Sequence, residues 1–294
     1  MRHAWMILAH NNFPILEKLL CFLDSDNADF FIHIDAKVPD LDTARFASLP
    51  RRSRVTFVER RSISWGDFSM VEAELSLLRA AVPGHYDYYH LLSGVDVPVK
   101  TREYIEGFFQ NDTNFNYVNF LEPEISRRNR WRVQFYYPFQ RFNIRRPWLR
   151  RALRNVSIGA QLLTGVDRTR KYPPELVFQK GTQWFDITHA LAEYILSREE
   201  EIRRFFRSTY CSDELVVQTL VASSAFRDTL LPTAFDGSHQ NCCRYLDWKR
   251  GSPYVFTEED FEELISTPPG CLFARKFDYV RHGAVVDRLF DYFS

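Results

Sequence analysis

A chain of 294 residues with 45% hydrophobic side chains is long enough to close a sizeable core, which argues against a disordered polymer. Its 38 basic and 38 acidic residues cancel, unlike the basic balance usual in a general nucleic-acid binder. Five cysteines, an odd number with no Cys-x-x-Cys pair, argue against a disulfide framework or a zinc site and fit a reducing compartment. No apolar run approaches the roughly 18 residues of a membrane span. Met1–Phe13 is too short, and too polar after Ala9, for a secretory signal. A soluble cytoplasmic protein is therefore expected.

In chain order, Trp5–Ala9 reads as a buried first strand leaving through His10-Asn11-Asn12, and Phe13–Leu23 carries apolar residues at helical spacing. Asp29–Asp35 is a second strand ending in a carboxylate, and Arg54–Val58 a third. Phe68–Ala81 is a helix. Tyr86–Leu92 is a further strand, turning through Ser93–Pro98. Strands alternating with helices predict an α/β sheet of parallel character. Ligands of such sheets bind outside the carboxyl ends of the strands, where Asp35 and Asp96 fall. Either carboxylate also suits a turn former.

The middle of the chain changes character. Tyr117–Leu121 reads as a strand. Arg127 to Arg154 then holds ten arginines and no acid, interleaved with Trp131, Tyr136, Tyr137, Phe139, Phe142 and Trp148. That section fits a solvated surface, a contact to an acidic acceptor glycan or lipid-linked phosphate, or an anionic lipid interface. Phe178–Ile187 reads as a strand pair and His189–Arg198 as a helix. Ser212–Ser223 is a helix with Ser212 as its N-cap, Arg244–Trp248 a short late strand, and Glu258–Ile265 a polar helix stopped by Pro268-Pro269-Gly270. With no repeat or linker, one domain spanning 1–294 is the simplest account.

Glu214 falls in the first turn of the predicted Ser212 helix, where the dipole favours a charged carboxylate. A fixed, ionised carboxylate suits a general base, and the same position suits an ordinary helix-start acid. About sixty residues on, Phe273-Ala274-Arg275-Lys276-Phe277-Asp278 sets two cations among apolar neighbours. A carboxylate base with a separate cationic site suggests a transferase whose leaving group is anionic.

Six segments in order then carry a resemblance: His33-Ile34-Asp35, Ser64-Trp65-Gly66, Leu92–Pro98, Gly181-Thr182-Gln183-Trp184, Ser212-Asp213-Glu214 and Phe273–Phe277. From Trp5 to Asp278 the chain resembles the core-2/I-branching glycosyltransferases, whose wider family includes peptide O-xylosyltransferases. The resemblance implies a GT-A-like fold, a Rossmann-like mixed α/β sheet flanked by helices. It also implies a UDP-sugar donor, inversion at the anomeric carbon, and no metal or other cofactor. It places the catalytic base on Glu214, diphosphate cations on Arg244 and Lys276, and a donor-site acid on Asp35. Trp184 falls on the sugar pocket, and Glu122 and Arg130 on acceptor contacts. Asp96, at its strand end, is grouped with the donor side.

Inverting transfer needs one carboxylate, whereas hydrolysis of a glycoside needs two, and no second one pairs with Glu214 in the sequence. The charge on the departing UDP needs a metal or fixed cations. The Asp-x-Asp matches, Asp24–Asp26 and Asp40–Asp42, fall away from strand ends. His10, His33 and His90 lack metal-ligand spacing. The cations are therefore the expected device. The expected partners are the donor, with N-acetylglucosamine as its sugar, and a hydroxyl of a glycan or glycoconjugate. Nucleic acid is not expected, and peripheral membrane contact through the arginine-rich section is. Ser64-Trp65-Gly66 and Cys243–Trp248 lean toward xylose as the alternative sugar. A rival of another class is a non-catalytic polyanion-binding protein working through Arg127–Arg154.

Overall fold

The computed structural model describes residues 1–110, 115–141 and 146–294; Phe142 and Arg145 of the arginine-rich section lie outside that range. Six strands build the main sheet: β1 (His3–Ala9), β2 (Ala28–Ile34), β3 (Val55–Phe57), β4 (Tyr88–Ser93), β6 (Tyr117–Val118) and β7 (Phe185–Thr188), in the order β3-β2-β1-β4-β7-β6. The first four in that order run parallel, and β7 runs antiparallel to both β4 and β6. A small second sheet joins β5 (Val97–Pro98), β9 (Phe273–Arg275) and β8 (Arg244–Leu246).

Every residue of β1 and β4 is buried, as parallel strands covered on both faces require. The two-residue period of β1 divides the core. Met6 and Leu8 pack with Leu75 and Leu78 of the helix Ser69–Ala81. Trp5, Ile7 and Ala9 pack with Leu16 and Leu20 of the helix Phe13–Phe22 and with Val286 and Phe290 of the helix Tyr279–Phe293. The result is a mixed α/β fold of GT-A-like character. The carboxyl ends of β1, β2 and β4 open together on one edge.

Several expectations need correction. Phe178–Ile187 is not a strand pair, because only Phe185–Thr188 joins the sheet. The residues before it are held against other loops: a Cβ on Gly181 would lie 1.7 Å from the Asn119 carbonyl oxygen. The Ser212 helix is broken as well. Ser212–Glu214 is a single 3-10 turn, Leu215 leaves helical geometry at φ −128°, and the α-helix covers Val216–Ala222. Ser212 is no N-cap, since among the described residues its hydroxyl finds no partner. Cys211 (φ 50°) turns the chain there and anchors it by donating its amide to the Gly66 carbonyl at 3.0 Å. Glu258–Ile265 likewise divides into a 3-10 turn and a short helix. The arginine-rich section holds two helices, Arg127–Gln134 and Pro147–Leu163, which the sequence pattern did not announce.

Candidate active site

At the open edge of the sheet lies a cavity of ≈ 340 Å³, lined by His10 after β1, Asp35 after β2, and Lys37, Ser64, Trp65 and Arg150 among others. Asp35 closes its strand as a turn: its Oδ1 accepts from the Lys37 amide at 2.9 Å, and its Oδ2 lies 3.5 Å from the Lys37 ammonium. It thus faces the cavity with a cation at its side. Lys276, directly after β9, acts electrostatically on His10 together with Asp35, Lys37 and Arg275. Its charge therefore reaches the His10 side of the cavity wall, although Lys276 is not among the residues that line it.

Asp96 and Trp184 stand behind that wall. Asp96 is fully buried, accepts from the Ser93 amide at 2.9 Å, and lies 3.6 Å from the Arg275 guanidinium. Burial raises its pKa, against the pull of Arg275 and Arg244. Arg275 in turn lies over the ring of the buried Trp184, 4.0 Å from its centroid. Neither Asp96 nor Trp184 lines the cavity. Both hold Arg275, and hence the start of the Lys276 segment.

Arg244 is further from its expected place. It is completely buried, with Nη1 3.0 Å from Asp186 Oδ2 and 2.9 Å from the Cys242 carbonyl oxygen, while Nη2 donates to the Leu91 carbonyl at 2.8 Å. Asp186 also lies 2.8 Å from His90 Nδ1, and His90 lies 3.0 Å from His3. Burial pushes Asp186 upward, but Arg244 and His90 outweigh it and its pKa falls below the usual carboxylate range. This guanidinium is spent on a sealed ion pair beneath the sheet, and no part of it reaches the cavity.

Glu214 sits beyond the Ser64–Gly66 loop. Gly66, at φ 78°, lets that loop meet the Tyr210–Glu214 turn closely enough that a Cβ would lie 2.8 Å from the Tyr210 ring. The rings of Trp65 and Tyr210 pack edge to face at 5.7 Å. Two cations hold the Glu214 carboxylate, Arg132 Nη1 at 2.6 Å and Lys180 Nζ at 3.1 Å, both on Oε2. Among the described residues no protein group holds Oε1. The Glu214 carbonyl is fixed separately, by the Gly181 amide at 3.0 Å. Next to it, burial and the charge of Glu214 push Asp213 up to about 7. Burial and Asp213 also push Glu74 well up, while the Gln183 amide at 2.7 Å pulls the other way.

Sequence reasoning missed Arg132, Lys180 and Glu74. Arg132 was submerged in the arginine run, and Lys180 sat one residue before the Gly181 motif. Glu74 left a trace, as a carboxylate at a buried position of an otherwise apolar helix face. The two expected acceptor residues stay apart from Glu214. Glu122 accepts from the Ser126 amide at 2.7 Å and from Asn129 at 3.1 Å, at the entry of the helix Arg127–Gln134. Arg130 is exposed on that helix, two residues from Arg132 and so turned away from it.

A mostly parallel sheet with its cavity at the strand ends, and a fixed carboxylate one loop away, is the arrangement of a ligand-binding α/β protein. Residues 3–264 match the core-2/I-branching enzyme family, and the chain belongs to that family of glycosyltransferases. It is similar to xylosyltransferase 2 of Homo sapiens, at 25% identity over 307 residues covering 98% of this chain and 33% of the relative. Xylosyltransferase 2 of Bos taurus is 24% identical over 310 residues (100% and 33%), and xylosyltransferase 1 of Canis lupus familiaris 25% over 311 residues (100% and 30%). The chain spans about a third of the length of these curated relatives. No helix among the described residues is long and apolar enough to cross a membrane.

Proposed function

We propose that residues 1–294 form one domain that transfers a sugar, with inversion, from a UDP-sugar to a hydroxyl of a glycan or glycoconjugate, and that Glu214 is the base. The observation that carries this reading is the grip on Glu214. Arg132 and Lys180 fix the carboxylate through Oε2 and leave Oε1 unclaimed. A base needs that arrangement: fixed orientation with one oxygen open to the incoming hydroxyl. In the transfer, the acceptor oxygen forms its bond to the anomeric carbon while the bond from that carbon to the phosphate oxygen breaks. The hydroxyl proton passes to Oε1, and UDP leaves with the bonding electrons.

The nucleotide belongs in the ≈ 340 Å³ cavity, with Asp35 against it. The cation for the diphosphate is Lys276, with Arg275 behind it; the buried Arg244 is not assigned that task. Fixed cations supply charge to the leaving group without a metal. The similarity to xylosyltransferases makes UDP-xylose the first donor to try, with UDP-N-acetylglucosamine as the second reading.

Thermal shift against UDP, UDP-xylose and UDP-N-acetylglucosamine, followed by a UDP-release assay, tests the proposal. Glu214→Gln is expected to bind UDP as the parent does and to lose about 10²–10⁴-fold in turnover. Turnover close to the parent's removes Glu214 as base. EDTA is expected to leave turnover intact, and loss with rescue by Mn²⁺ means that a metal carries the leaving-group charge.

A further inference from the structure

Beside the main cavity lies a second one of ≈ 150 Å³, several times the roughly 30 Å³ share of a water molecule. Trp65, Gln140, Arg150, Arg151, Arg154 and Tyr210 line it. We infer that it is a subsite for an acidic sugar of the acceptor, its oxyanion met by the arginines and a neighbouring hydroxyl by Gln140. This inference rests on the reading of Glu214 as the base.

The first observation is uncompensated charge. Arg150 and Arg154, one turn apart on the helix Pro147–Leu163, share a face, and Arg151 stands beside them. Among the described residues none of the three has a carboxylate within salt-bridge distance, whereas Arg132, Arg203 and Arg250 are all paired. Arg150 rests instead over the Trp65 ring at 5.3 Å, and Arg154 over the Tyr210 ring at 5.4 Å. Stacking fixes a guanidinium plane and leaves its N–H edge free for an oxyanion.

The second observation is Gln140. It is 5% exposed, and among the described residues its Oε1 has no hydrogen-bond partner. A buried amide oxygen left unpaired is costly, and a hydroxyl donor from a bound ligand relieves it. An acidic sugar carries both groups, an oxyanion and hydroxyl donors, on one ring. Trp65, 61% exposed at the rim, offers its ring to the sugar face.

The third observation is position. Trp65, Gln140 and Arg150 line both cavities, so the two are direct neighbours. Tyr210 also lies under Arg132 at 5.5 Å, the arginine that grips Glu214. A ligand here is thus one ring away from the base and next to the cavity that Asp35 lines. That places it with the acceptor rather than with the donor diphosphate. The exposed Trp148, Val156 and Leu163 of the same helix suit a lipid surface, but Arg150 and Arg154 turn toward the rings of the protein body.

The test is titration calorimetry of the full chain with a heparin tetrasaccharide, a neutral maltotetraose, UDP, and vesicles with and without phosphatidylglycerol. The heparin tetrasaccharide is expected to bind, more weakly as salt rises, and the neutral one not to. Arg151→Ala/Arg154→Ala is expected to weaken the heparin tetrasaccharide about tenfold or more while UDP affinity stays within about twofold. Arg154→Lys, which keeps charge but loses the fork, is expected to fall between. Unchanged tetrasaccharide affinity in the double variant overturns the subsite. So does competition by UDP, which would make it a donor phosphate site, or binding to anionic vesicles alone, which would make it a lipid contact. Tetrasaccharide binding without any UDP binding keeps a site for an acidic sugar but overturns the transferase reading, and with it the sugar's place as acceptor.

Discussion

A single carboxylate oxygen organises the proposed chemistry, and other buried groups give the fold its pH response. Asp213, raised to about 7 by burial and by Glu214, binds its proton more tightly in the folded chain than in the unfolded one. Its contribution to stability therefore falls as pH rises from the ordinary value of 3.8 toward 7. Asp213→Asn is expected to flatten the decline of the thermal midpoint across that window, measured by scanning fluorimetry from pH 4 to 8. His3 works in the opposite sense. Burial, then His90, lower it to about 3, so its contribution is present above 6.5 and is lost as pH falls below that value. Arg244 is a residue whose type was legible and whose task was not. A buried arginine and an exposed one look alike in sequence, and the partner that distinguishes them, Asp186, lies 58 residues away. Arg244→Ala is expected to cost about 3–5 kcal/mol by leaving Asp186 buried and unpaired. Urea unfolding measures this, and the folded fraction should keep its UDP affinity.

Among the elements, legibility followed burial. β1, β2, β4 and the helix Ser69–Ala81 are long apolar runs covered on one or both faces, and their composition betrays them. The site-forming segments are the opposite. Residues 178–184 carry an aromatic at each end, Phe178 and Trp184, and run into the apolar strand that follows, yet the five residues between are Gln, Lys, Gly, Thr and Gln and their backbone pairs with loops. Gly181 gives its amide to the Glu214 carbonyl while passing 1.7 Å, by its absent Cβ, from Asn119. Gly181→Ala is expected to displace Lys180 and the Glu214 turn together. Turnover should fall at least tenfold with a smaller change in UDP affinity, resolved by comparing UDP release with UDP titration. The Arg132 contact was illegible for another reason. It closes over 82 residues, and no local period reports a pairing at that range.

Across the whole molecule, the family match ends at residue 264, but the fold does not. Leu272, Phe273, Val286, Leu289 and Phe290 belong to the same buried cluster as Trp5 and Ile7 of the first strand. The last thirty residues are therefore the far wall of the central sheet, and Lys276 is delivered by that wall. A fragment trimmed at residue 264, where the family match ends, would present bare aromatic surface where β1 is now covered. It is expected to be recovered as aggregate, and a monomeric peak with native circular dichroism would refute this. Whoever shortens this protein for expression should let the final helix, and not the last residue of the family match, mark where to cut.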